Sequence, residues 1–344
     1  MLPTLASDAL HVAVFGPGVG ELIAVRAPPG RWLIIDGCGP GSRSYGRRLL
    51  EHYAGAPSLI AFTHPHLDHA SGLREVIERA TPSAAPDTWP GIGVLSPSPR
   101  APSPLGVIAP NFGGAVEDTL AAIDDRWERK PACRWDLRVG TERSLGDAVV
   151  RVIAPATMAA EAAYDAWRDG RPWNPNRVAT AFELRWRGHR ILLGSDLDED
   201  DGGGWSEIAT TGRTRTPHAA TKVPHHGSVG AVHPVWIDPM GSRPCFIVTP
   251  FARERLPRFD DGDGVHQMLG YAAEIHLTGL PRRHSSQPAD QPLHERRTEL
   301  LALGDEPLDA ITPGWPDCFV IASVASDGAT AVAHGPGSVR VVEG

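Results

Sequence analysis

The chain has 344 residues, of which 41% are hydrophobic and 22% are charged, and its formal net charge is −8 at pH 7. This composition is typical of a globular enzyme. The negative charge argues against a general surface for duplex DNA, because phosphate contacts come from Lys and Arg. No stretch approaches the roughly 18 apolar residues of a membrane span, and the N-terminus lacks a basic segment followed by an apolar one. We therefore expect a soluble, cytoplasmic protein with no membrane partner.

Short runs rich in Val, Ile and Leu, separated by Gly, Pro and Asp, predict β-strands along most of the chain. In chain order these strands are 10–15, 21–26, 31–36, 58–62, 147–153, 180–187, 190–195, 218–223, 244–249, 273–278 and 317–333, the last a hairpin. Helices are predicted at 71–80, 115–129, 158–169 and 265–270. Strands that are grouped in each half and mixed with helices favour two sheets with helices outside them.

Two long stretches interrupt this pattern. Residues 81–114, which are rich in proline, and residues 282–316 are predicted to be insertions in a single domain that spans 1–344. Loops of that length in a compact domain are usually functional or mobile. The sequence leaves open whether they cover a site, contact a partner or act as spacers.

The hexapeptide 64–69, His-Pro-His-Leu-Asp-His, comes just after a predicted strand. A loop at the end of a strand can present His64 and His66 to one metal ion, while Asp68 and His69 face a second ion. Imidazole and carboxylate together suit zinc, manganese or iron better than calcium or magnesium. The hexapeptide therefore predicts a metal site; the alternative is a solvated loop that is rich in histidine.

Three other predicted strands also end in residues that can bind metal. One ends at Asp36, one leads into Asp196, and one breaks into the adjacent pair His225 and His226. Alone, a strand-ending aspartate is more typical of a turn, and a histidine pair is more typical of the surface. Together with the hexapeptide they predict a two-metal site in which Asp196 bridges the ions.

In this order the segments resemble the metallo-β-lactamase superfamily, and the resemblance spans most of the chain. It is strongest to the soluble hydrolase domain of ComEC-type DNA-uptake proteins and their stand-alone relatives. It rests on the Gly-rich turn at 14–21, Ile-Asp-Gly at 35–37, the Leu-Leu-Gly strand end before Asp196, and Lys-Val-Pro-His-His-Gly-Ser at 222–228. The resemblance implies an α/β fold, a four-layer αββα sandwich, with two divalent ions, Zn²⁺ or Mn²⁺, at one rim of the sheets.

The chain departs from that family at the first ion, which usually receives a further histidine. The histidine between the hexapeptide and Asp196 is His189, which is predicted to lie in a hairpin turn roughly 20 Å from Asp196. Asn176 stands where ComEC-like sequences have an asparagine, which offers a carbonyl oxygen or holds a water. His266 is the nearest counterpart of a later family histidine. We therefore expect the first site to be weaker, more open or filled by one metal only.

Three residues near the predicted site, Lys222, Ser228 and Cys38, have competing interpretations. Lys222 is either a phosphate contact or a solvated residue, and Ser228 either binds an anion at a helix start or caps the helix. Asp36 is expected to be structural. The four cysteines form no CxxC pair, so they predict isolated buried thiols. Cys38, which follows the turn after Asp36, is a packed cysteine or, less simply, a thiolate ligand.

The chemistry follows from the predicted ligand set, which is His64, His66, Asp68, His69, Asp196 and His225. Two cations about 3.5–4 Å apart can hold a bridging hydroxide, and Asp68 is expected to orient it as well as bind metal. Adjacent residues of an extended segment face opposite ways, so His225 and His226 are not expected to share an ion without a sharp turn. We predict His225 as the ligand, because it ends its strand, and His226 as the catalytic donor to the leaving group.

The leading functional hypothesis is a metal-dependent phosphodiesterase or nuclease, because phosphate esters suit two metal ions. The net charge favours single-stranded nucleic acid or a small nucleotide as the phosphodiester substrate. One alternative is hydrolysis of a carbonyl substrate such as a lactone or thioester. Another is a metal-bearing, non-catalytic module of a multi-protein system, which would have protein partners.

Overall fold

The structure is a computed structural model that describes residues 1–16, 20–39, 41–83, 85–95, 114–199, 203–237, 245–251, 256–258, 264–271, 274–279, 298–302 and 315–343. The strands are β1 (Leu10–Phe15), β2 (Leu22–Ala27), β3 (Arg31–Ile35), β4 (Pro57–Phe62), β5 (Gly91–Val94), β6 (Arg134–Asp136), β7 (Glu142–Leu145), β8 (Ala148–Val152), β9 (Phe182–Trp186), β10 (His189–Leu193), β11 (Ala220–Lys222), β12 (Cys245–Val248), β13 (Glu274–Leu277), β14 (Thr298–Ala302), β15 (Phe319–Val324), β16 (Thr330–His334) and β17 (Val339–Glu343). The helices are α1 (Tyr45–His52), α2 (Leu67–Ala70), α3 (Leu73–Ala80), α4 (Gly114–Arg129), α5 (Thr157–Arg168), α6 (Gly204–Thr211) and α7 (Gly264–Leu269).

Over the described ranges these strands form two mixed sheets. The first sheet has the order β16-β15-β1-β2-β3-β4-β5-β6, and the second has the order β14-β17-β13-β12-β11-β10-β9-β8-β7. Each sheet contains a block of four parallel strands, β3 to β6 in the first and β10 to β13 in the second, while the other pairs are antiparallel. The parallel blocks matter most here, because every residue of the predicted metal site follows one of their strands.

Three hydrophobic clusters separate four layers. Between the sheets, Val12 of β1 packs in the same cluster as Ile191 of β10. Side chains along a strand alternate between its two faces, so Phe15 of β1 joins the cluster formed with α1, α3 and α4. In the same way Leu192 of β10 packs with Trp205 of α6 in the third cluster. This arrangement confirms the predicted four-layer αββα sandwich.

All the strands predicted from the sequence are present, with ends that differ by up to two residues. The predicted helix at 71–80 corresponds to α3, which begins at Leu73 after a left-handed glycine, Gly72. The sequence analysis missed β5, β6, β7, β14, β17, α1, α2 and α6. These elements are three to eight residues long, so each offers too short a pattern to be separated from a loop.

One predicted insertion is wrong in part, because β5 lies inside 81–114. It pairs in parallel with β4 and β6. A Cβ on its Gly93 would lie 2.8 Å from the ring of Trp135, so glycine is needed for that ring to cover the strand. The range 282–316 likewise contains β14, which pairs with β17. Residues 96–113, 280–297 and 303–314 lie outside the described residues, so the remainder of both insertions and the single domain stay predictions.

None of the described helices combines the length and the apolar character that a bilayer crossing requires.

Candidate metal centre

The candidate site lies at the carboxyl ends of the parallel strands in both sheets. β3 leads into Asp36 and β4 into the hexapeptide 64–69, while β10 leads into Asp196 and β11 into the pair His225 and His226. Parallel strands present their carboxyl ends at the same edge of a sheet, where α/β proteins commonly bind ligands. Packing the two sheets face to face therefore brings these four loops together.

The backbone turns sharply at three of these loops, those at Asp36, at Asp196 and at the pair His225 and His226. Four non-glycine residues there have left-handed conformations: Asp36 (φ 58°), Ser195 (φ 48°), His225 (φ 39°) and His226 (φ 51°). Such conformations are unfavourable by roughly 1–3 kcal/mol each and cluster at functional sites. At His225 and His226 the two consecutive left-handed residues produce the sharp turn that an extended segment lacks.

Four ligand atoms meet in a group that we call the second cluster, formed by Asp68, His69, Asp196 and His226. Asp196 Oδ2 lies 3.2 Å from His69 Nε2 and 3.4 Å from His226 Nε2. Asp68 Oδ2 lies 3.6 Å and 3.5 Å from the same two nitrogens. Ligands bound at about 2.1 Å around a tetrahedral zinc ion are about 3.4 Å apart. The spacing of the second cluster therefore fits one such ion.

A first cluster, formed by His64, His66 and Asp196, lies beside the second one. His64 Nε2 is 3.0 Å from His66 Nδ1 and 3.9 Å from Asp196 Oδ2. The first cluster thus offers two imidazoles and a carboxylate, one ligand fewer than the second. Asp196 belongs to both clusters, as expected of a bridging aspartate.

Three atoms of these clusters are buried without a hydrogen-bond partner among the described residues: His69 Nε2, His226 Nε2 and Asp196 Oδ1. An unpaired buried polar atom destabilises the folded state by roughly 1–3 kcal/mol. A divalent cation would satisfy all three atoms, and the donor set of imidazole and carboxylate suits zinc or manganese. The residues present therefore fit a metal centre.

Asp36 holds one ligand in place without joining either cluster. Its Oδ2 lies 2.7 Å from His69 Nδ1, and it accepts hydrogen bonds from the Thr63 backbone N–H at 2.8 Å and the Thr63 hydroxyl at 2.6 Å. A carboxylate on one ring nitrogen fixes the tautomer and leaves the other nitrogen free for metal. This geometry agrees with the structural role predicted for Asp36, whereas the sequence analysis missed Thr63.

The structure places His226, and not His225, in the second cluster. His225 belongs to neither cluster; its Nδ1 lies 2.5 Å from Asp198 Oδ1, and its Nε2 lies 3.0 Å from Asn176 Nδ2. The prediction that His225 completes the second ligand set is therefore wrong, and His226 takes that position. The prediction rested on the alternation of an extended chain, which the two left-handed residues abolish.

Lys222 does not face the cleft. It is fully buried, and its Nζ lies 2.6 Å from Glu21 Oε2, so the predicted phosphate contact is wrong, as is the solvated alternative. The physical reason is the position of β11, which is central in its sheet and covered on both faces. Ser228 is also largely buried, and its hydroxyl lies 3.0 Å from His225 Nδ1.

The other candidates lie outside the two clusters. Asn176 is buried beside His225, and His266 lies on α7. Cys38 is buried, which raises the pKa of its thiol, and neither cluster includes it, so the packed interpretation is favoured over a thiolate ligand. His189 begins β10 at a hairpin, as expected, and its Nε2 lies 3.1 Å from the Ser326 carbonyl.

Two acidic residues of the site escaped the sequence analysis. Asp198 follows Asp196 by two positions in the run Asp-Leu-Asp, so its proximity to the predicted ligand was a usable signal. Glu21 closes the Gly-rich turn at 14–21, whose resemblance to the family pointed to the turn but not to this side chain.

Burial and nearby charges shift the pKa values of the histidines in both clusters. Burial lowers the pKa of His69, but the carboxylates of Asp196 and Asp36 outweigh it and hold that pKa well above its usual value. Burial likewise opposes protonation of His226, whereas Asp196 and Asp68 raise its pKa to about 10. Burial, with the nearby His69, keeps the pKa of His64 well below its usual value. In the metal-free protein these shifts favour the protonated forms of His69 and His226.

We expect metal binding to release protons. His69 and His226 bind metal only as neutral imidazoles, so filling the second cluster should displace protons from both, and the apparent affinity should rise with pH up to about 10, the pKa of His226. Calorimetric titration with Zn²⁺ in buffers of different ionisation enthalpy measures the number of protons released. A His266→Ala variant, altered outside both clusters, is the control and should release as many protons as the wild type. Affinity that is independent of pH would contradict the expectation.

No protein-family model and no curated protein matches the chain. Similar solved structures include a metallo-beta-lactamase from Staphylococcus aureus, at 16% identity and a TM-score of 0.33 over 55% of this chain and 44% of that one. They also include CmlA, a diiron beta-hydroxylase from Streptomyces venezuelae, at 15% identity and a TM-score of 0.33 over 64% of this chain and 35% of that one. A diphosphatase from the PhnP family has 11% identity and a TM-score of 0.34 over 62% of this chain and 74% of that one.

The chain thus spans less than half the length of the first two of these proteins. Their names describe a lactamase, a hydroxylase and a diphosphatase. At this level of similarity they indicate neither the reaction nor the substrate of this chain.

Proposed function

We propose that this chain is a metal-dependent hydrolase of phosphodiesters, a phosphodiesterase or nuclease that acts on single-stranded nucleic acid or a small nucleotide. The observation that supports it best is the carboxylate of Asp196. Its Oδ2 lies within 3.9 Å of His64 Nε2 in the first cluster and 3.2 Å of His69 Nε2 in the second. A carboxylate shared by two adjacent ligand sets is suited to a pair of divalent ions.

Two such ions, Zn²⁺ or Mn²⁺, would lower the pKa of water and stabilise the charge that develops on the phosphoryl oxygens. Protein side chains would orient the water and donate a proton to the leaving group. Asp68 is the more exposed carboxylate of the second cluster, at 12% of its side chain against 3% for Asp196, so it is the one that can orient water.

His225 takes over the role that we predicted for His226. Its side chain is 16% exposed, and Asp198 and Asn176 hold its two ring nitrogens. The Asp198 carboxylate accepts the Nδ1 proton, so in the neutral imidazole Nε2 accepts a hydrogen bond from the Asn176 amide. Burial disfavours the charged imidazole, but Asp198 outweighs it and raises the pKa of His225. Once protonated at both nitrogens, His225 would donate its Nε2 proton to the leaving-group oxygen of a substrate that displaced the Asn176 amide.

The rim of the cleft favours a small or single-stranded substrate. Leu67 and Val229 stand next to the clusters and are 43% and 52% exposed, whereas the nearby Lys222 is fully buried. Exposed aliphatic side chains can pack against a nucleobase, and a substrate with few phosphates needs few cationic contacts. The resemblance of 14–21 and 222–228 to ComEC-type hydrolase domains supports a nucleic acid or nucleotide in particular. The cytoplasmic location stays a prediction.

The test is an activity screen of purified, metal-loaded protein on a bis-aryl phosphodiester, single-stranded DNA, RNA and duplex DNA. We expect turnover of the small diester and the single strands, and little of the duplex. Activity should fall on exhaustive dialysis and return with Mn²⁺, because the first cluster supplies only three protein ligands and manganese accepts imidazole, carboxylate and water. Full activity after dialysis, without a response to manganese, would show that a further residue completes the first cluster.

A second candidate function is hydrolysis of a carbonyl substrate such as a lactone or thioester. The burial of Lys222 and the aliphatic rim favour it, since a neutral substrate needs no cation. A lactone and a thioester in the same screen separate the two: turnover of these alone would replace the phosphodiesterase proposal. Metal binding without turnover of any substrate would favour the non-catalytic module with protein partners.

A further inference from the structure

A buried ion pair lies behind the second cluster and joins the two sheets. Lys222 ends β11 in the second sheet, and Glu21 immediately precedes β2 in the first. Both side chains are fully buried, and Lys222 Nζ lies 2.6 Å from Glu21 Oε2. Removing two charges from water is unfavourable, and an apolar pair of similar volume often stabilises a fold as well or better. The position of the pair, rather than its contribution to stability, therefore points to its role.

Thr249 links the ion pair to His226 through hydrogen bonds. The Thr249 hydroxyl donates to Glu21 Oε2 at 2.5 Å. The hydroxyl oxygen and the carbonyl oxygen of Thr249 each lie 3.0 Å from His226 Nδ1. Because the hydroxyl proton goes to Glu21, both Thr249 oxygens can accept the Nδ1 proton of His226. This arrangement leaves His226 Nε2 free to face Asp68 and Asp196.

The same pair also holds the backbone beside the other two loops. The Glu21 N–H donates to the Asp68 carbonyl at 2.9 Å. Lys222 Nζ donates to the carbonyl of Ser195 at 3.5 Å, and Ser195 is the left-handed residue that directs Asp196 into the site. The ion pair thus contacts the supports of three ligands that come from both sheets.

We propose that Lys222 and Glu21 are positioning residues for the metal ion of the second cluster. They hold His226, Asp68 and Asp196 at ligand spacing across the interface between the sheets, and they touch neither metal nor substrate. The inference rests on the metal centre of the proposed function and is independent of the substrate. The competing interpretation is that the pair only stabilises the packing of the sheets.

The experiment compares Lys222→Met, Glu21→Gln and the double variant with the wild type. Each protein is prepared metal-free and titrated with Co²⁺, whose visible absorption reports ligand geometry, and with Zn²⁺ by calorimetry. His226→Ala and His66→Ala identify the signals of the second and first clusters. Melting of the metal-free proteins measures stability separately. The double variant retains no unpaired buried charge, so it can fold where a single variant fails.

Glu183→Gln is the matched control. Glu183 is also a buried carboxylate of the second sheet, paired with Arg185 at 2.6 Å and bonded by the Thr214 hydroxyl at 2.6 Å, and it contacts no member of either cluster. It should lower stability while leaving both Co²⁺ signals unchanged.

We expect the Lys222 and Glu21 variants, the double variant included, to bind the ion of the second cluster about 10–100-fold more weakly, as other losses of ligand support do. Its Co²⁺ spectrum should change, and the ion of the first cluster should be retained. Wild-type affinity and spectrum in the double variant would overturn the inference and leave the metal centre standing. A wild-type protein that binds no metal would overturn the proposed function and the inference together.

Discussion

Replacing Asp196 by alanine should remove metal from both clusters and hydrolytic activity with it. Among the described residues, Asp196 Oδ2 is the carboxylate oxygen near imidazoles of both clusters, at 3.9 Å from His64 and at 3.2 Å and 3.4 Å from His69 and His226. Without it, two groups of imidazoles would have to hold adjacent cations with no bridging negative charge. Stabilisation of charge by bound metal is worth several kcal/mol, so turnover should fall by roughly 10³-fold.

Elemental analysis of the purified variant measures the loss of metal, and an assay on the best substrate of the screen measures the loss of turnover. Asp198→Asn is the matched control: its carboxylate stands two residues away and belongs to neither cluster, so its metal content should be unchanged. A triple variant, His64→Ala/Asp68→Ala/Asp196→Ala, that kept the metal content of the wild type would show that the metal is bound elsewhere.

Replacing His226 by alanine and replacing His225 by alanine should have opposite effects on the metal content of the second cluster. His226→Ala removes a ligand whose Nε2 lies 3.4 Å from Asp196 and 3.5 Å from Asp68, so it should lose the metal of the second cluster and most of the activity. His225→Ala should keep that metal, because His225 is held by Asp198 and Asn176 instead. It should lose turnover by roughly 10²–10⁴-fold, as expected when a proton donor is removed.

Metal content and kcat, measured on the same preparations of both variants, decide between the assignments. Metal loss in His225→Ala with retention in His226→Ala would restore the assignment made from the sequence. Wild-type metal content and turnover in both variants would remove this segment from the site. Asn176→Ala is a useful companion, because it should retain metal and alter only the environment of His225.

Part of the candidate metal site could be recognised from the sequence. The hexapeptide 64–69 and Asp196 were recognisable because metal ligands need few residue types, and because strand ends are marked by short apolar runs that break at small or acidic residues. The αββα sandwich was predictable from the resemblance and agrees with strands that are grouped in two halves. The hexapeptide is local in the chain, so one segment carries its signal, whereas Asp196 was recognisable only through its order relative to the hexapeptide.

The strand β5 could not be predicted from its own sequence. Its sequence, Gly-Ile-Gly-Val, follows a proline-rich stretch and favours a loop. It becomes a strand because it pairs with β4 and β6, and because its glycines leave room for the ring of Trp135. Its conformation therefore depends on a residue about forty positions away, which no local pattern records.

The sequence by itself determined the ligand types, their order and the strands that end at them. Only the tertiary structure decided which of His225 and His226 joins the second cluster, because two left-handed residues override the alternation of an extended chain. It also decided that Lys222 is a buried partner of Glu21 rather than a contact for substrate. A side chain's burial and charge partner depend on residues distant in sequence, here on opposite sheets, and become defined only when those sheets pack together.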